Sequence, residues 1–89
     1  MSASFRVNIM TPERSAYEAD IVSLIVPAEE GYLGVLAHHA PIIARLKPGN
    51  IIVRDKSDKL VNFTLNGTGF LEVSGNSAAL LLDSLELPS

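Results

Sequence analysis

What most constrains this chain is its rhythm: short apolar runs with period two, broken by turn residues every 8–12 positions or so. Phe5, Val7 and Ile9 alternate with Arg6 and Asn8. The segment from Asp20 to Val26 is β-branched and apolar on both sides, as a central strand requires, and Pro27 closes it. Leu33, Val35 and Leu36 form a further run, and the one from Ile42 to Leu46 ends at Lys47-Pro48-Gly49-Asn50. Ile51 and Val53, then Val61, Phe63 and Leu65, flank a polar turn at Asp55-Lys56-Ser57-Asp58-Lys59 and read as a hairpin. Gly67-Thr68-Gly69 bends the chain. Leu71 and Val73 precede the turn Ser74-Gly75-Asn76, and Ala78, Leu80 and Leu82 complete the pattern. Such spacing predicts an all-β sandwich or barrel in one domain over residues 1–89. The expected core contains Val7, Ile9, Ile25, Ile51, Val53, Phe63, Leu65, Leu80 and Leu82.

Thr11-Pro12-Glu13 resists that pattern. A capping hydroxyl followed by proline is a good helix start, and Glu13 to Asp20 has room for two helical turns. The local residues leave helix and strand both open here.

Composition excludes several function classes. Hydrophobic residues make up 47% of the 89, enough for one modest core. The net charge is −3 and the seven basic residues are scattered, so nothing resembles the basic stripe that phosphate neutralisation needs. With no cysteine there is no disulfide framework and no thiolate metal site. The N-terminus has no secretory pattern, and the apolar stretch from Ala78 to Leu82 is too short to cross a bilayer.

Candidate chemistry is sparse. His38 and His39 are the only histidines; adjacent on a strand they would point to opposite faces, and no further ligand for zinc exists. Glu29 and Glu30 form a carboxylate pair, but in a turn with no apolar pocket to raise a pKa. Gly31-Tyr32-Leu33-Gly34 lacks the Lys-Ser/Thr and helix of a phosphate loop. Asn62-Phe63-Thr64 and Asn66-Gly67-Thr68 match glycosylation sequons, which in a chain without a secretion signal read as accidents of composition. No catalytic residue, metal or cofactor is expected.

The informative stretch is Pro27-Ala28-Glu29-Glu30-Gly31-Tyr32-Leu33-Gly34-Val35-Leu36-Ala37-His38-His39-Ala40-Pro41, followed by Leu46-Lys47-Pro48-Gly49. An acidic residue, glycine, Gly-Val-Leu, His-Ala-Pro and Leu-x-x-Gly at this spacing resembles the ATP synthase epsilon subunit family. Val7-Asn8-Ile9-Met10-Thr11-Pro12, Tyr17-Glu18-Ala19 and Gly69-Phe70-Leu71-Glu72-Val73 with Asn76 extend the resemblance over nearly the whole chain. It departs at Ala19, in place of glycine; at Thr68, in place of the first of two glycines; and at Ala37-His38, where the family more often has Pro followed by Asn or Gly.

The resemblance implies a flattened β-sandwich of about ten short, mostly antiparallel strands, with a turn and short strand rather than a helix after Thr11. It implies a non-catalytic central-stalk (rotor) subunit that links the gamma subunit to the c-ring and supports coupling of proton translocation to ATP synthesis. Membrane association would then run through the complex, on the cytoplasmic face of a bacterial inner membrane or, alternatively, the stromal face of a thylakoid. By the same resemblance Glu29, Glu30, Gly31 and Tyr32 face the c-ring, and Thr11, His39, Ala40 and Pro41 meet gamma, with His39 and Thr11 near each other. The family's helical arm is not expected here, and its nucleotide motif has no counterpart, since Leu82-Asp83-Ser84-Leu85-Glu86-Leu87 lacks the expected Arg-Ala. The alternative function is a free regulatory sandwich that binds a small ligand.

Overall fold

The computed structural model describes residues 3–86. All regular structure among them is strand: β1 (Phe5–Thr11), β2 (Arg14–Ala28), β3 (Gly31–Val35), β4 (Ile42–Leu46), β5 (Gly49–Asp55), β6 (Leu60–Leu65), β7 (Gly69–Ser74) and β8 (Ser77–Leu82). They hydrogen-bond in the order β1-β8-β7-β4-β2-β5-β6, β3 lies on β2, and a β1–β2 pairing closes the sheet on itself. The molecule measures 34 × 28 × 22 Å, a flattened shape. Every pairing is antiparallel except β1 with β8.

The period-two runs behave as alternation requires. Phe5, Val7 and Ile9 of β1, Ile51 and Val53 of β5, Phe63 and Leu65 of β6, Leu71 and Val73 of β7, and Ala78, Leu80 and Leu82 of β8 all point into one core. Tyr17 and Phe63, from opposite layers, meet edge-on with ring centroids 5.2 Å apart. The Gly75-Asn76 turn has φ of 55° and 58°, the left-handed pair that a two-residue hairpin turn demands.

Three expectations change. Among the described residues eight strands form rather than about ten; after the expected turn, at Pro12-Glu13, β2 runs unbroken for 15 residues where a short strand and a separate central strand were expected. This strand serves both layers: residues 14–21 pair with β1, 21–25 with β5 and 24–28 with β3. Pro27 does not end it, since Pro27 still faces Tyr32 in the β3 pairing.

Ile25 is the second change. It is 38% exposed, while Leu24 and Val26 are buried. The β2–β5 register slips between Ile21 and Ser23, and a bulge there flips which side chains face inward. Ile21 is buried on one side of the slip and Leu24 on the other; unbroken alternation from Ile21 would have carried Ile25 inward.

The third change concerns Leu36, His38 and His39. β3 stops at Val35, so Leu36 lies outside the strand and is 64% exposed. His38 and His39 occupy a turn, not a strand, and His38 has φ 63°.

Candidate interaction surfaces

The turn between β2 and β3 is built by the signature residues. Gly31 has φ 131°, in the range that favours glycine. The Pro27 carbonyl accepts from Lys47 N at 2.9 Å, and Glu29 N donates to the Arg45 carbonyl at 3.0 Å, so the end of β2 is tied to the end of β4. Tyr32 Oη accepts from Asn50 N at 3.2 Å. Gly49 fits beneath, where a Cβ would lie 2.7 Å from Pro27 Cβ and 2.9 Å from Tyr32 Oη. Thus Pro27, Glu29, Gly31, Tyr32, Lys47 and Gly49 share one end of the sandwich, with Glu29 and Glu30 exposed on the rim.

The second motif forms the turn after β3. His39 N donates to the Leu36 carbonyl at 3.2 Å, and His39 Nδ1 lies 2.7 Å from the Ala40 carbonyl, which selects the tautomer protonated at Nδ1. His38 N donates to Asn76 Oδ1 at 2.8 Å, and Asn76 Nδ2 donates to the Ser4 carbonyl at 3.1 Å. One asparagine side chain therefore pins the histidine turn to the start of the chain. Ala40 and Pro41 are exposed and lead into β4.

Thr11 is not beside His39. It ends β1 and donates through Oγ1 to the Arg14 carbonyl at 3.4 Å, next to Met10, Pro12, Leu81 and Leu82. The histidine turn is tied to Ser4, ahead of the other end of β1, so the length of that strand, about 20 Å, separates the two ends.

Between these corners lies a feature the sequence reading missed. Register places Met10 beside Leu81, Leu81 beside Phe70, and Phe70 beside Arg45 in a row across the outer face of β1, β8, β7 and β4. Leu81 is 49% exposed, Phe70 46% and, two residues before Arg45, Ile43 71%. The Arg45 guanidinium sits 5.8 Å from the Phe70 ring centroid. The signal was available as doublets that break alternation: Ile9-Met10, Ile42-Ile43, Phe70-Leu71 and Leu81-Leu82. Arg45, whose carbonyl holds Glu29 N, joins this face to the acidic turn. On the other layer, a cleft of about 460 Å³ is lined by Ala3, Val22, Ser23, Leu36, Ala37, His38 and Arg54. Its one full charge, Arg54, is already bonded to Asp58 at 2.7 Å.

The family model for the β-sandwich domain of the ATP synthase delta/epsilon chain matches residues 4–88. The chain belongs to that family. Among curated relatives, the ATP synthase epsilon chain of Protochlamydia amoebophila is 40% identical over 82 residues, 92% of this chain and 55% of that one. The epsilon chain of Leptospira borgpetersenii is 40% identical over 77 residues, 86% of this chain and 59% of that one. The chain thus spans little more than half the length of these epsilon chains. Among solved structures, a chain of the Euglena gracilis mitochondrial ATP synthase (OSCP/F1/c-ring) superposes with TM-score 0.89 at 18% identity, over 98% of this chain and 55% of that one. A chain of the Tetrahymena thermophila mitochondrial ATP synthase central stalk and c-ring gives 0.76 at 18% identity, over 94% and 66%. At that identity the superpositions speak to the fold alone. The backbone at His38 is left-handed. Its φ of 63° suits the Asn or Gly that the family resemblance leads one to expect there.

Proposed function

We propose that this domain is a non-catalytic rotor part of an F-type ATP synthase, linking the gamma subunit to the c-ring and supporting the coupling of proton translocation to ATP synthesis. Relatives named epsilon chain support this reading. The observation that carries it is the row of exposed Leu81 and Phe70 beside half-buried Met10, with exposed Ile43, on a sheet face that adjoins the acidic turn through Arg45. Large side chains left in water on one face mark a docking surface.

In this reading gamma covers that face, whose opposite corners are Thr11 and the turn His39-Ala40-Pro41. The rim of Glu29, Glu30, Gly31 and Tyr32 meets polar, basic loops of the c-ring. The close-packed core between them suits a part that must pass torque without yielding. Binding to the complex holds the domain at the cytoplasmic face of a bacterial inner membrane. The cleft beside Arg54 does not favour the ligand-binding alternative, because its charge is paired with Asp58.

The test is binding to purified gamma. Phe70→Glu combined with Ile43→Glu is expected to abolish capture of gamma while thermal stability stays near that of the parent. Unchanged gamma affinity in this folded variant overturns the assignment of the face.

A further inference from the structure

We propose that Asn66 is a site of spontaneous deamidation whose product releases the C-terminal strap of the domain from β6. The strap is the segment that leaves β8 and crosses to the edge of β6. There Thr64 and Glu86 exchange both backbone hydrogen bonds, Thr64 N to the Glu86 carbonyl at 3.2 Å and Glu86 N to the Thr64 carbonyl at 2.9 Å. One side-chain bond reinforces this bridge: Asn66 Nδ2 donates to Glu86 Oε2 at 3.1 Å.

Asn66 combines what succinimide chemistry needs. It is exposed, it lies outside the strands, and the next residue is glycine, whose amide nitrogen has no side chain to hinder its approach. Among the described residues the Gly67 N–H donates to no acceptor. The other asparagines are protected. Asn8, Asn50 and Asn62 lie within strands and precede Ile9, Ile51 and Phe63, and the Asn76 side chain is held by His38 N and Ser4.

The step balances with water alone. The Gly67 amide nitrogen gives its proton to solvent and attacks Asn66 Cγ. The new N–Cγ bond forms as the Cγ–Nδ2 bond breaks, and the nitrogen takes up a proton and leaves as ammonia. Water then opens the ring at either carbonyl, giving aspartate or isoaspartate. The product exchanges a donor facing Glu86 for a carboxylate, and two like charges then oppose each other across the bridge. The strap loses its side-chain tie and gains repulsion at the same point.

The full 89-residue chain is incubated in mildly alkaline buffer and mapped by peptide mass spectrometry. Conversion of amide to acid is expected at Asn66 well before Asn76, with isoaspartate among the products, and none in Asn66→Gln. Separately, Asn66→Asp is expected to speed hydrogen exchange of the Thr64 and Glu86 amides roughly tenfold, as loss of one charge-assisted hydrogen bond implies. Amides of β7 should stay protected in that variant, which shows that it has folded. The proposal is overturned if Asn66 survives as long as Asn76. It is overturned equally if folded Asn66→Asp exchanges at Thr64 and Glu86 like the parent.

Discussion

Tyr32 Oη accepts a hydrogen bond from Asn50 N at 3.2 Å, tying β3 to β5 over Pro27 of the intervening strand β2. Gly49 occupies the space below. The acidic turn is therefore held by a clasp, not left to sway as a free loop. Tyr32→Phe keeps the ring and loses the bond, and should cost about 0.5–1.5 kcal/mol. Gly49→Ala drives a Cβ against the Pro27 ring and should cost about 1–3 kcal/mol, with little relief from Tyr32→Phe because proline cannot move aside. Urea denaturation of the single and double variants measures both.

The bulge in β2 makes neighbouring residues unequal. Leu24→Ala should destabilise by about 2–5 kcal/mol because it empties a fully buried site. Ile25→Ala should cost less than about 1 kcal/mol, since that side chain already meets water. The same denaturation midpoints decide it, and equal costs would contradict the slip in register.

His38 pays for a left-handed backbone at φ 63°. An L-residue bears about 1–2 kcal/mol there, and asparagine tolerates it better. His38→Asn should raise the melting temperature by a few degrees, provided the hydrogen bond from residue 38 N to Asn76 Oδ1 is kept. Thermal scans by circular dichroism measure the shift.

Tyr17 should give the domain an alkaline limit. Burial, and secondarily the charge of Asp55, raise its pKa above the ordinary tyrosine value of 10.0. An acid whose folded pKa is raised leaves stability unaffected below the unfolded value, where both states hold the proton. As pH climbs past about 10 the unfolded state gives up its proton first, and stability falls until the folded pKa is passed. Tyr17→Phe should flatten this part of the stability–pH curve. Denaturation midpoints measured on either side of that pH test it.

The two surfaces should respond differently to salt. Replacing Glu29 and Glu30 with lysine should weaken docking to the c-ring at low ionic strength, and the difference should shrink once salt screens charges beyond about 8–10 Å. A bulky charged residue at His39 should weaken gamma binding with little salt dependence. Affinity series in rising salt, with melting curves as a folding control, separate the two. Loss of gamma binding in the Glu29/Glu30 variant, with the His39 variant unaffected, would reverse the assignment.

Much was legible from residues alone. Alternation in Phe5-Val7-Ile9, Ile51-Val53, Phe63-Leu65 and Ala78-Leu80-Leu82 determined strands and core together, because a pleated strand faces its core at every second residue. The turn residues at Gly75-Asn76 and Asp55–Lys59 placed the hairpins. Only the tertiary structure decided which face Ile25 takes, because alternation sets parity and a bulge reverses it without changing composition. The 15-residue span of β2 was hidden for a related reason: no local residue reveals that one strand serves two layers. The row of Met10, Leu81, Phe70 and Arg45 draws on four strands far apart in the chain. It exists only because the order β1-β8-β7-β4 sets them side by side, and strand order is a property of the packed sheet rather than of any segment.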